Sequence, residues 1–103
     1  MTKLALKADP TFEATVDIPV SGKPPVPVKM TFKHRTKTQL IEFQNTLDKR
    51  TDPESFMEMV AGWDLEHDFT VENVTTVLEN YIGAAWATYD KYRTELIAAK
   101  LGN

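Results

Sequence analysis

From Thr11 the apolar residues alternate with polar ones. Phe12, Ala14, Val16 and Ile18 fall on one side, and Glu13, Thr15 and Asp17 on the other. A period of two marks a half-buried strand. After Pro19–Pro25 (PVSGKPP), a stretch dense in turn formers, alternation resumes with Val26, Val28, Met30 and Phe32 opposite Lys29, Thr31 and Lys33. The two runs predict a β-hairpin over about 11–18 and 26–34, joined by a long connection rather than a tight two-residue turn. Pro27 has no N–H, so the second strand is expected to begin at an edge or to lose a ladder bond there. Glu13 and Asp17 are expected to face Lys29 and Lys33, which suits cross-strand charge pairing. Residues 1–10 end in Asp9-Pro10 and read as an irregular lead-in.

At Arg35 the period lengthens. Thr36 and Gln39 stand three residues apart, as in a capping box, and Leu40, Phe43 and Leu47 share one helical face. A helix from about Lys37 to Lys49 follows. Asp52-Pro53-Glu54 is a second start signal, with the acid as N-cap and proline at the first helical position. Phe56, Met59, Val60 and Trp63 line up behind it, and Gly62 falls near its end. Asp64–Phe69 is a polar connector. Thr70 is the next N-cap, with Glu72 in the first turn, and Val71, Val74, Val77, Leu78 and Tyr81 form the inner face. Gly83 ends or bends this helix, and two helices are the preferred reading. Beyond it Ala85, Trp86, Tyr89, Tyr92, Leu96 and Ile97 form a broad apolar stripe running to about Leu101, with Arg93 inside it. The order β-β-α-α-α-α predicts an α+β fold: an N-terminal β-hairpin packed on a C-terminal bundle of three to four helices. A single domain over 1–103 is expected, with lead-in 1–10, hairpin 11–35 and helical part 36–101.

Composition narrows the function more by exclusion than by suggestion. A chain of 103 residues, 42% hydrophobic and 26% charged, can hold one core without staples. The absence of cysteine rules out a disulfide framework, a thiol nucleophile and a thiolate metal site. A net charge of −3 argues against nucleic acid as a partner. No run matches the apolar core of a signal peptide or a membrane span, so the expectation is a soluble protein of a reducing compartment with no membrane partner.

Candidate chemistry is sparse. Asp64, Glu66, His67 and Asp68 form an acidic cluster with one imidazole, but they lack calcium-loop spacing, and the other histidine, His34, is remote in sequence. Ser21 and Ser55 have no nearby histidine, and no glycine-rich loop precedes a helix. No catalytic residue, cofactor or metal ligand is expected. The basic run Lys33–Lys37 suits phosphate or an acidic partner, though a solvated strand end accounts for it as well. Core packing is the default reading of the aromatic residues on these apolar faces, yet they are generous for so small a core, and tryptophan and tyrosine are typical interface anchors. Trp63, Trp86, Tyr89, Tyr92 and Arg93 are therefore the candidate protein-binding residues.

Four segments taken in order resemble the tail assembly chaperones of tailed bacteriophages. They are DPTFEATVDIPVSG (Asp9–Gly22), MTFKHRTKTQL (Met30–Leu40), GWDLEHDFTVENVTTVLENYIGAA (Gly62–Ala85) and the tyrosine-bearing helix ending in AAKLGN (Ala98–Asn103). The family often has proline just after the tyrosine matching Tyr81, where this chain has Ile82-Gly83. The resemblance implies a non-catalytic protein of the infected bacterium's cytoplasm that coats the helical tape measure protein and is absent from the finished virion. The tail tube subunit and a second copy of the chain are further candidate partners, and the family often makes a longer form by ribosomal frameshifting. The alternative is a small structural virion protein, such as a head–tail completion or tail terminator subunit.

Overall fold

The computed structural model describes residues 3–98. The elements run β1 (Thr11–Val20), β2 (Lys23–Lys33), α1 (Lys37–Asn45), a short 3-10 turn (Leu47–Lys49), α2 (Asp52–Met59), β3 (Val60–Trp63), α3 (Val71–Asn80) and α4 (Ala84–Ala98). The fold is α+β. An antiparallel sheet in the order β1-β2-β3 presents one face to the helices. The alternation in β1 and β2 decides which face: Val16, Ile18, Val28, Met30 and Phe32 are buried, while Glu13, Thr15, Asp17 and Lys29 point to solvent. Leu40 and Phe43 of α1, Phe56 and Met59 of α2, Val74 of α3, and Ala84 and Tyr92 of α4 complete the core.

The hairpin turn differs from expectation. Both strands extend further than 11–18 and 26–34, and a two-residue turn at Ser21–Gly22 joins them, Gly22 taking φ +74°. The prolines make this possible. Ile18 pairs with Val26 and Val20 with Lys23, so Pro19 alone opposes Pro24 and Pro25 across a bulge. None of the three has an N–H to lose. Pro27 lies in the central strand without costing a bond to β1. The N–H and C=O of its neighbour Lys29 turn to the other side, toward Asp64, and backbone direction alternates, so the nitrogen of Pro27 points past the end of β3. Of the expected charge pairs, Lys29 meets Glu13 at 3.7 Å, while the Lys33 ammonium donates to the Met57 carbonyl.

Strand β3 is a correction. Phe56, Met59, Val60 and Trp63 have helical spacing, yet the helix stops at Met59 and Val60 turns extended at φ −111°, ψ 134°. Val60 is fully buried opposite Phe32, and Gly62 pairs with Thr31 rather than ending a helix. The N-cap of α2 is Thr51, not Asp52: its hydroxyl accepts from Glu54 N–H, and the Glu54 carboxylate accepts from Thr51 N–H. These bonds hold the Glu54 carboxyl below its ordinary pKa. Helix α1 stops at Asn45, short of Lys49. The Glu42 carbonyl accepts from both the N–H and the hydroxyl of Thr46, and the Arg50 guanidinium takes the Phe43 carbonyl that a longer helix would use. The capping box of Thr36 and Gln39 and the N-cap at Thr70 are present as expected.

The chain breaks at Tyr81–Gly83 and makes two helices. The N–H of Ala87 already donates to the Gly83 carbonyl, and a Cβ on Gly83 would stand 3.0 Å from Pro19 Cγ. A small residue lets α4 begin against β1. Val26, Val71 and Tyr81, expected inside, are exposed at 49%, 45% and 39%. The expected run of α4 to Leu101 falls partly outside the described residues.

Two substitutions test these assignments by urea denaturation. Gly22→Ala meets no neighbouring atom, so its expected cost of about 1 kcal/mol isolates the positive φ. Thr88, fully buried on α4, has a hydroxyl with no hydrogen-bond partner among the described residues. Thr88→Val should therefore stabilise the protein by about 1 kcal/mol, since a methyl needs no partner.

Candidate functional site

Helix α4 has two faces in different surroundings. Ala84, Thr88 and Tyr92, one turn apart, are buried against the sheet. Two small side chains bring the helix close, and Tyr92 then reaches into the centre of the core. Its ring lies 5.4 Å from that of Phe32, 6.1 Å from Phe12 and 6.3 Å from Phe43. Its hydroxyl donates to the Lys33 carbonyl at 2.6 Å and accepts from Arg35 Nη1 at 3.0 Å. Arg35 continues to the Glu58 carbonyl and carboxylate at 2.8 and 2.9 Å. Burial raises the Tyr92 pKa above its ordinary value, although Arg35 opposes the shift.

The basic run Lys33–Lys37 thus turns partly inward. Arg35 and Arg50 both lie over the Phe43 ring, each guanidinium carbon 4.3 Å from its centroid. Such contacts are worth about 0.5–2 kcal/mol. A polar groove of about 380 Å³ opens here, but Arg35 is committed to Glu58 and Tyr92, and Arg50 to Phe43, Thr46 and Ser55.

At its start the outward side of α4 is apolar and open, ahead of the Asp90–Arg93 ion pair. Trp86 is 65% exposed, and Ile82, in the turn before the helix, is 91% exposed. Trp86 and Tyr89 have ring centroids 5.8 Å apart. With Ala85 they form one wall of a groove of about 240 Å³, and Leu47, Phe56 and Met59 form the other. Asp52 gives it a charged rim. A second apolar recess, about 370 Å³, lies toward the hairpin tip between Ile18, Val26, Val77 and Tyr81.

The structure brings together two of the five candidate binding residues. Trp86 and Tyr89 share the groove. Tyr92 is fully buried and belongs to the core. Trp63, on β3, packs edge-on against Phe69 and Phe56 at 5.1 and 6.3 Å, and its indole N–H donates to the His67 carbonyl. Arg93 is half-exposed in an ion pair with Asp90 at 2.9 Å. Ile82 was missed by sequence reasoning. Lying in a three-residue break between helices, it carries no periodic signal. Among the described residues no three His, Asp or Glu side chains gather as metal ligands.

A family model for phage tail assembly chaperones matches residues 1–103, the whole chain. The chain belongs to the phage tail assembly chaperone family. No curated protein and no solved structure matches it significantly. For this chaperone the groove beside Trp86 and the core around Tyr92 are consequently two sides of one helix.

Tyr92→Phe tests the structural role of the buried hydroxyl. It leaves the Lys33 carbonyl without this donor and should cost about 1–3 kcal/mol. Below the ordinary tyrosine pKa, near 10, the hydroxyl is neutral in both folded and unfolded chains. Above it the unfolded chain ionises first, so the stability contributed by Tyr92 is lost as pH rises toward the elevated folded value. Denaturation between pH 8 and 11 should show a shallower alkaline loss in Tyr92→Phe than in the wild type.

Proposed function

We propose that this chaperone binds apolar helical segments of the tape measure protein in the host cytoplasm during tail assembly and keeps them soluble, without catalysis. One observation carries the reading: Ile82, Trp86 and Tyr89 stand together on the outer side of α4 beside an apolar groove. Large side chains exposed in a cluster mark a surface that expects cover. An amphipathic helix fits such a groove, with its apolar residues against the aromatic wall. Tryptophan and tyrosine give the most binding energy for the rotamer freedom lost, and charged residues at the margin, Asp52 here, supply the polar rim. The long tape measure protein has the complementary problem, since its apolar helical surface is uncovered until tube subunits surround it.

Co-expression with the tape measure gene tests the function. The partner should move from the insoluble to the soluble fraction and co-purify with this chain, and a partner that stays insoluble would sink the proposal. The double variant Ile82→Ala/Trp86→Ala should weaken capture at least tenfold, the loss of about 1.4 kcal/mol, with an unchanged melting temperature. Undiminished capture would move the binding surface elsewhere. Mass spectrometry of purified virions should find no stoichiometric copy of the chain, whereas one copy per tail position would make it a structural subunit.

A further inference from the structure

Strand β1 is an edge of the sheet. Lys29 directs its N–H and C=O toward Asp64, on the β3 side, so its partner Thr15 must turn its own backbone groups away from β2. The same parity applies to Glu13 and Asp17. Their backbone groups form an open row for another strand, and their side chains lie on the solvent face. On the helix face of this edge Phe12 and Ala14 are only half-buried. An open edge of this kind invites pairing.

The lead-in carries the complement. Lys3-Leu4-Ala5-Leu6-Lys7 alternates with period two, forms no strand or helix here, and leaves Leu4 and Leu6 fully exposed. Its two lysines are four residues apart, as are Glu13 and Asp17. Laid antiparallel along β1 with Ala5 opposite Thr15, it sets Lys7 opposite Glu13 and Lys3 opposite Asp17. Leu6 then falls opposite Ala14 and Leu4 opposite Val16 on the helix face, with Phe12 diagonal to Leu6. Sequence, charge and face agree in this one register.

The segment cannot reach that register within its own chain. With Thr11 and Phe12 held opposite Lys33 and Phe32, the turn would shrink to Pro10 alone, and Pro10 is pinned by the His34 N–H at 2.9 Å. Hairpin loops need at least two residues. Direct pairing of two β1 edges about Thr15 is also disfavoured, because it sets Glu13 opposite Asp17 of the other copy. From Lys7 to Thr11 the chain spans at most about 14 Å, several strand spacings.

We infer that two copies of this chain associate by exchanging their lead-ins, residues 3–7 of each adding a fourth strand to the β1 edge of the other. The interface is isologous, so it closes as a dimer. It is also independent of the Trp86 groove.

Analytical ultracentrifugation of the full chain tests it. The wild type should sediment at twice the 11.7 kDa chain mass at tens of micromolar. Lys3→Glu/Lys7→Glu should weaken the dimer at least tenfold, and adding Glu13→Lys/Asp17→Lys should restore it. Leu4 and Leu6 touch no core, so Leu4→Asp/Leu6→Asp should give a folded monomer by circular dichroism. The chain has no cysteine, so Ala5→Cys/Thr15→Cys should yield a disulfide-linked dimer on non-reducing gels. A monomer at every concentration, a cross-link within one chain, or a dimer indifferent to the charge reversal would each overturn the inference.

Discussion

The centre of the molecule is a phenol that is both greasy and hydrogen-bonded. Tyr92 stacks among Phe12, Phe32 and Phe43, which come from two strands and α1, while its hydroxyl joins the end of β2 to Arg35 and through it to α2. A phenylalanine would supply the packing without the joint, and a smaller polar residue the joint without the packing. The hydroxyl lets the end of β2, with its open carbonyl, be buried under α4 without an unmet acceptor. It also explains why a basic run lies at the strand end: Arg35 is needed inside, and Lys33 closes a carbonyl of α2.

Strand periodicity and caps were readable from the sequence because both are local. The alternation from Phe12 to Ile18, the capping box at Thr36 and the N-cap at Thr70 need only neighbouring residues to operate. What was not readable depended on distant partners. Val60–Trp63 follows α2 with no punctuation, and its apolar residues keep helical spacing, so only the free edge of β2 makes it a strand. The long hairpin connection was inferred from the density of prolines, whose cancellation across a bulge is invisible until the register is known.

The placement of the five candidate residues turns on one feature. The apolar stripe of α4 is so wide that hydropathy fixes no phase, and Tyr92 and Trp86 look equivalent along it. The phase is set by Ala84 and Thr88, whose small side chains admit the sheet and place Tyr92 inside and Trp86 outside. A count of large residues overlooks small ones. One helix therefore packs on the sheet with one side and leaves Trp86 exposed on the other.

The proline cluster at the hairpin has a consequence for how the chain finds its shape. A slip of one residue would turn the odd-numbered positions of β2 toward β1, and with them the nitrogens of Pro25 and Pro27, leaving two β1 carbonyls with nothing to accept. Misaligned hairpins are starved of bonds at the point where zipping must begin, beside Gly22. The penalty falls on a misregistered hairpin of only a few residues and needs no helix to enforce it.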